Sequence, residues 1–374
     1  MRVKLFKIIL IVFLSAFLLY ALFLICVAAT GYRPKGVEAL AIKEGNETTG
    51  KLEREGMQEL IRKETEMSVA TFNIGYCGLD REQDFFMDGG KNSRSGSREQ
   101  TLANLENITD ILVHEGLSFA FLQEVDIKST RSFHVNQKDF INKKLSGYSS
   151  VFAANYKVLW VPVPLSKPMG SVYSGLITLS RYSPRSAARY QYPGSEKWPR
   201  RMFDLERCFI ECRLPVEDGG ELVLINSHLS AFDEGGLIRQ EQLAFLKEYI
   251  IEEYRDKGNY VIVGGDWNHV LPGTDPGLFV SVEEKPFWVQ EIPGNFTPEG
   301  FIWAVDGGVP TVRSTASPYR EKYSYLAVID GFLVSPNVEV KKVYGHDLNF
   351  KNSDHNPVSL IFSLSVVGEE AEYS

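Results

Sequence analysis

VIVGGDWN, residues 261–268, is a short apolar run that stops at Gly264-Gly265 and then delivers Asp266 and Asn268 two residues apart. A run this short, rich in β-branched residues and closed by glycine, reads as a buried strand. Glycine at such a strand end lets a backbone come close to a ligand and leaves the next side chains aimed off the end of the sheet. Asp and Asn offer hard oxygens and amides, which suit a magnesium-like cation, a phosphate or a water, and suit zinc or copper poorly.

Other runs repeat the design. SVATFNIG (68–75), FAFLQEVD (119–126), GLITLSRY (175–182), ELVLINSHL (221–229), YLAVIDGFLVS (325–335) and SDHNPVSLIFSL (353–364) all read as strands. MDGGKNSRSGSRE (87–99) is a loop, and Ser97 with Gln100 makes a capping box that opens a helix. Leu102, Leu105, Ile108 and Leu112 form that helix's apolar stripe, and Gly116 ends it. A second amphipathic helix, GLIRQEQLAFLKEYIIEEY (236–254), turns Leu237, Leu243, Leu246 and Ile250 inward and closes at Gly258-Asn259. Strands outnumber helices, and hairpin-length gaps sit beside helical crossovers. The pattern predicts an α/β fold of the α+β type, with two stacked mixed sheets covered by helices.

Residues 8–29 are 22 consecutive uncharged residues, enough for a helix that crosses a bilayer and longer than the apolar core of a cleavable signal. Cleavage after Val27-Ala28-Ala29 is the alternative; a lipoprotein at Cys26 is disfavoured because Ile25 precedes it. Arg2, Lys4 and Lys7 against Arg33 and Lys35 favour an N-inside orientation by a small margin, with the body outside the cytoplasm. The chain therefore divides into a signal anchor (1–30), a polar stalk or linker (31–66), one catalytic-sized domain (67–365) and an acidic tail (366–374). The net charge of −8 gives no overall nucleic-acid footprint, although a local basic cleft can coexist with an acidic body. Four cysteines are too few for a disulfide scaffold, and Cys208 and Cys212 in RCFIECRL (207–214) share one strand face as core filler.

The polar residues at strand ends are Asn73, Glu124, Asn226 with His228, Asp266 with Asn268, Asp330, and Asp354 with His355. Singly, each is an ordinary turn former. Together they are carboxylates, amides and two of the six histidines, with no CxxC or HExxH spacing that would hold zinc. Hydrolysis of a phosphate ester needs such a kit: a cation on phosphate oxygens, a base that orients water, and donors for a crowded anionic transition state. A carboxylate–His pair suits the base.

In their order these segments resemble the endonuclease/exonuclease/phosphatase superfamily, over about Ser68 to Leu364. TFNIG, LQEVD, NSHL, GGDWN, VIDGF and SDHNPV match its six motifs in turn. The resemblance implies a four-layer α/β sandwich with its site at the top of two packed sheets, and a divalent cation, Mg²⁺ or else Mn²⁺. It implies Glu124, Asn73 and Asp354 as metal ligands, and His355 as the catalytic imidazole supported by Asp330. Asp266 and Asn268 would position water and phosphate, and His228 would bind a phosphate oxygen or assist the leaving group. Asn226 would shape that loop and contact phosphate, and Arg181 is either a further phosphate contact or a plain surface arginine. Gly75 stands where some nucleases of the superfamily carry an acid, which leaves a second metal position there in doubt.

The reaction expected is P–O hydrolysis of a phosphodiester in the DNase I-like manner, and a catalytically silent binding module is the reading from another class. The substrate is either nucleic acid or a phospholipid headgroup. RYSPRSAARYQYPGSEKWPRR (181–201), with Arg94 and Arg98, could line a phosphate-rich cleft. YKVLWVPVPLSKPMG (156–170) could form a hairpin that touches lipid, or a core strand with an exposed turn. No obligate protein partner is implied.

Overall fold

The computed structural model describes residues 2–46 and 60–365; the centre of the expected linker and the acidic tail lie outside the described residues. In chain order the first strands are β1 (Val37–Ala39), β2 (Ile42–Lys43), β3 (Met67–Asn73), β4 (Phe119–Asp126), β5 (Ser149–Val161) and β6 (Gly170–Ser180). There follow β7 (Ser186–Gln191), β8 (Cys208–Pro215), β9 (Glu221–His228), β10 (Tyr260–Asp266) and β11 (Ile302–Ala304). The last are β12 (Val312–Arg313), β13 (Leu326–Ala327), β14 (Asp330–Val334), β15 (Val338–Gly345) and β16 (Val358–Leu364). The helices are α1 (Arg2–Thr30), α2 (Arg98–Glu115), α3 (Gln137–Lys144) and α4 (Leu237–Ile251).

Among the described residues these strands make two seven-stranded sheets, β1-β7-β8-β9-β10-β14-β11 and β15-β16-β3-β4-β6-β5-β2, and a small β12–β13 pair. Each large sheet has one parallel pair, β9 with β10 and β3 with β4, among antiparallel neighbours. A parallel pair needs a long crossover, and here α4 and α2 supply it. The carboxyl ends of both parallel pairs meet at one edge of the sandwich, the place where open α/β sheets bind ligands.

Period-two alternation sorts the layers. On β10, Tyr260 and Ile262 enter the core between the sheets, while Val261 and Val263 face α4. On β3, Met67 and Val69 face the other sheet, and Ala70 and Phe72 lie under α2. Leu105, Ile108 and Leu112 pack there as their spacing predicts, and Ser97 caps α2 by accepting the Gln100 N–H at 3.1 Å. Leu243, Leu246 and Ile250 of α4 are buried, but Leu237 is exposed, because the first residue of the helix projects past the sheet it covers. The layers are thus helix, sheet, sheet, helix, the sandwich the motifs imply. Cys208, Ile210, Cys212 and Leu214 all sit in the core between the sheets, and both thiols are free.

The described parts of the 31–66 segment do more than link. β1 pairs with β7 at one sheet's edge and β2 with β5 at the other's, while Ile61 is buried in the central core and bridges to Val216. Covering two edges blunts their exposed hydrogen-bonding rows. Strands of three and two residues are too short for alternation to betray them. Helix α1 is long and apolar enough to cross a membrane, as a signal sequence also would be.

Candidate active site

The glycines that drew attention to β10 answer a packing demand. A Cβ on Gly264 would lie 2.5 Å from the Phe332 ring and 3.0 Å from Phe121 across the core, and one on Gly265 would meet the Ser227 carbonyl at 1.9 Å. The strand therefore hugs its neighbours and carries Asp266 to the rim. Beyond it, Asn268 turns at φ +50°, and its backbone N–H donates to Asp266 Oδ1 at 2.9 Å. Its side-chain amide donates to the Leu229 carbonyl at 2.8 Å.

Glu124 is delivered by a different device. Leu122 pairs with Ile177 and Val125 with Gly175, so two β4 residues face one on β6. Glu124 occupies this bulge at φ +59°. Bulges re-aim side chains, and a left-handed non-glycine residue costs on the order of 1–3 kcal/mol. Here the carboxylate turns out of the strand into the cleft.

Asn73, at the end of β3, joins the two halves. Its amide donates to Asp266 Oδ2 at 2.9 Å and lies 3.5 Å from both Glu124 Oε1 and His355 Nε2. Its carbonyl oxygen accepts the Gly75 N–H at 3.0 Å. Gly75, at φ +48°, is where a Cβ would fall 2.6 Å from Asp354 Oδ1. Asp354 fills the space that an acid at position 75 would need.

His355 Nδ1 donates to Asp330 Oδ2 at 2.8 Å, and its Nε2 faces Asp266 Oδ2 at 3.8 Å. Asp330 is brought there by β14, which pairs it directly opposite Asp266. Burial alone would strip the proton from His355, but Asp330 and Asp266 outweigh it and push the imidazole up to about 10. Burial, with Asp330 adding to it, raises Asp266 to about 6 against the pull of His355. Burial and the Glu124 charge raise Asp354 to about 6. His228 lies 3.3 Å from Asp266 Oδ2, and burial first, then Arg207 and His355, holds it well below its ordinary value. It is neutral, and its Nδ1 has no protein partner.

Asp266, Asp330 and His355 form the one cluster, among the described residues, with potential ligand atoms all within 4.8 Å of one another. Asp330 Oδ1 is buried without a protein partner. Across Asn73, Glu124 and Asp354 border the same cleft of about 450 Å³. Its donors are mostly oxygens and its acids crowd one another, a setting that fits a hard divalent cation.

Two expected residues fall elsewhere. Asn226 is fully buried beneath the cleft: it donates to the Ile177 carbonyl at 3.0 Å and accepts from Gln123 at 2.8 Å. It pins one sheet to the other and does not reach phosphate. Arg181 follows the end of β6, which runs antiparallel to β4, so it lies at the opposite end of the sheet and donates to the Tyr148 hydroxyl at 3.0 Å. Six strand residues put it about 20 Å from the rim. The 181–201 stretch divides: Arg189 is buried among backbone carbonyls, and Glu196 and Arg200 reach the cleft. Arg94 instead binds the Pro168 carbonyl.

Sequence reasoning missed two cleft residues. Arg131 donates to Asp126 at 3.0 Å, lies 3.6 Å from Glu124 Oε2 and covers the Tyr76 ring, which steadies the bulge. Arg207 lines the cleft with one buried guanidinium nitrogen lacking a protein partner. The charged pair Glu206-Arg207 directly before the strand run was the available signal for Arg207. Arg131 sits on a single 3₁₀ turn, Thr130–Ser132, too short for periodicity to reveal it.

The Endonuclease/Exonuclease/phosphatase family profile matches residues 70–355. Among solved structures, the chain is similar to the endonuclease/exonuclease/phosphatase from Beutenbergia cavernae (18% identity, TM-score 0.56, covering 80% of this chain and 72% of that one). It is also similar to D. rerio TDP2 complexed with single strand DNA product (15%, 0.50, 80% and 100%). A third is a family protein from Bacteroides thetaiotaomicron (15%, 0.50, 83% and 99%). At these identities the likeness is one of fold. No curated protein matches the chain.

Proposed function

Because the chain belongs to the endonuclease/exonuclease/phosphatase family, whose members are generally phosphoester hydrolases that use divalent metals, we propose that it is a divalent-cation-dependent phosphodiesterase anchored in a membrane through α1. The observation that carries this reading is the His355 ring clamped by Asp330 at 2.8 Å while it faces Asp266, with Asn73 bridging to Glu124. Residues 1–30 are the anchor in this reading and 67–365 the catalytic domain, edged by β1 and β2.

Glu124 and Asp354, with Asn73 beside them, would hold the cation, Mg²⁺ before Mn²⁺ for a set this rich in oxygen. When bound, such a cation supplies charge neutralisation at a phosphate oxygen and at the leaving group. The other roles belong to the protein. His355 enters the reaction as an imidazolium, with Nδ1–H given to Asp330 and Nε2–H left to hold a phosphoryl oxygen as its charge grows. Asp266, an acceptor at neutral pH, orients the attacking water and receives its proton. Asp266 thereby takes the base role that the sequence reading gave to His355 with Asp330, in addition to positioning the water. Asn268 fixes Asp266 through its N–H, and neutral His228 together with Arg207 faces the phosphate.

The test is turnover of bis-p-nitrophenyl phosphate by the full chain in detergent micelles, with chelator and with Mg²⁺ restored, beside His355→Ala and Glu124→Ala. Activity that requires Mg²⁺ and disappears in both variants is expected. Activity that survives both overturns the site.

A further inference from the structure

A large part of the cleft lining is apolar. Beside the polar groups it holds Phe85, Phe86, Tyr156, Val161, Met169 and Phe203, contributed by the β5–β6 hairpin and the loops packed on it. The hairpin runs on past the cleft. A register shift between Val158 and Val161 puts an extra residue into β5. The bulge leaves Leu159 and Trp160 both facing outward, where regular alternation would bury one of them. The tip adds Val163, which also lines the cleft, and Leu165, which is 87% exposed. The apolar surface is therefore continuous from the outermost turn to the reacting groups.

Helix α1 ends against this same structure. Phe23 stacks on Phe203 with ring centroids 6.2 Å apart, Val27 is buried, and Tyr32 lies beneath Lys157 of β5. The 29 residues of α1 span about 44 Å, whereas a bilayer core is about 30 Å thick and needs about 20 residues. Residues from Val3 to Leu22, whose large apolar side chains are exposed, cover that thickness, with Lys4 and Lys7 at the outer end where long cationic side chains reach back to the far headgroups. The surplus turns up to Thr30 fall at headgroup level, where they meet the hairpin. Exposed Trp160, and Trp198 with Lys197 and Arg201 on the loop leading to Phe203, add the aromatic and cationic groups typical of that depth.

We infer that the β5–β6 tip and the foot of α1 form one surface that rests on the membrane, and that the cleft takes its phosphodiester from that membrane as a phospholipid. The headgroup phosphate meets Asp266 and His355, and the apolar part of the lipid lies along the Phe85–Phe203 wall. A nucleic-acid strand would need a cationic groove that tracks its backbone. Here Arg131 is matched by Glu124 and Asp126 and Arg200 by Glu196, and the apolar residues interrupt the lining, so Arg207 is left to meet a single phosphate rather than a backbone. The substrate half of the inference rests on the phosphodiesterase reading; the membrane contact does not.

The experiment uses the full chain reconstituted in vesicles of phosphatidylcholine, phosphatidylglycerol and sphingomyelin. Bromine-labelled phosphatidylcholine should quench the part of the fluorescence that Trp160→Phe removes. Leu159→Glu combined with Leu165→Glu should relieve that quenching and lower release of water-soluble phosphoester from the vesicles by about tenfold or more, since interfacial binding scales with buried apolar area. The same variant should keep its turnover of bis-p-nitrophenyl phosphate. Absent quenching, equal lipid turnover by variant and wild type, or plasmid DNA cleaved in preference to lipid would each overturn the inference. If neither the soluble diester nor lipid is hydrolysed, the phosphodiesterase reading itself fails and takes the substrate half with it, while the quenching result still decides the contact.

Discussion

The sheet that contains β9 and β10 carries an ionic network at each end, buried at the cleft and half-buried at the other, and the two are built on opposite plans. At the end far from the cleft, Arg213 binds Glu211 at 2.7 Å, Glu221 at 2.9 Å and Glu253 at 2.6 Å. Glu253 also receives Lys257 at 2.7 Å and Asn259 at 2.8 Å. Every donor there meets an acceptor. At the cleft end, roughly 17 Å away along β9, Asp266, Asp330 and Asp354 share one imidazolium, and Asp330 Oδ1, His228 Nδ1 and Arg207 Nη1 have no protein partner. A closed network holds strands in register; an open one is arranged for something that arrives later. Charge alone does not separate the two. Saturation does.

The sharpest way to break this contrast is to remove one group from each end. His355→Ala should lower kcat by about 10²–10³-fold, the usual effect of losing one transition-state donor, with little change in Tm. Glu253→Ala should do the reverse. It takes from half-buried Arg213 one of its three carboxylates and from Asn259 its acceptor, at a cost of about 2 kcal/mol, and leaves kcat alone. Steady-state kinetics and thermal melts on both variants decide it, and swapped phenotypes would end the distinction.

Added Mg²⁺ provides the next test. A ligand that binds only the folded state stabilises it by about 2.7 kcal/mol at a hundredfold excess over its Kd. The wild type and the Glu253 variant should both gain Tm on titration with Mg²⁺, whereas Glu124→Ala should not. A Tm rise that survives Glu124→Ala would place the cation elsewhere, at Asp266 and Asp330.

Much of the cleft end is legible in the sequence because strand ends are marked by abrupt changes from apolar to polar residues, and most of those changes lead to a side chain that lines the cleft. What sequence cannot supply is depth and direction. Asn226 and His228 share the face of Leu224 on β9, so alternation rightly aims both between the sheets. Only the partner sheet decides that Asn226 is spent on Gln123 and Ile177 while His228, two residues later, clears the rim. Arg181 failed for direction: GLITLSRY does not say which way β6 runs. The closed network was invisible for a similar reason, since Glu211, Arg213 and Glu253 become neighbours only through pairing and the helical crossover.

The two ends should also differ in how acid reaches them. Burial opposes the Glu253 charge, but hydrogen bonds from Arg213, Lys257 and Asn259 win and hold it below the usual carboxylate range. A depressed folded value means that its stabilisation is fully present above the unfolded value, about 4.3, and is lost as pH falls through the folded one. The Tm gap between wild type and Glu253→Gln should therefore be constant from pH 7 down to about 5 and shrink only below the unfolded value. Melts across that range check the sign, and a gap that widened on acidification would refute the closed network as a stabilising unit.

The smallest effect is expected at Arg181, and it is informative because the sequence left that residue open between a phosphate contact and a plain surface arginine. Its guanidinium donates to Tyr148 and lies 5.3 Å from that ring's centroid, and the side chain is exposed. Exposed pairings of this kind are worth about 0–1 kcal/mol. Arg181→Ala should shift Tm by no more than a degree or two and leave both KM and kcat unchanged. Arg207→Ala, at the cleft end with an unpartnered nitrogen, should raise KM for the same diester. Only a residue whose donors face the cleft can lose binding energy to substrate. If the two arginines behaved alike, the argument from unsatisfied groups would lose its force at the site it was drawn from.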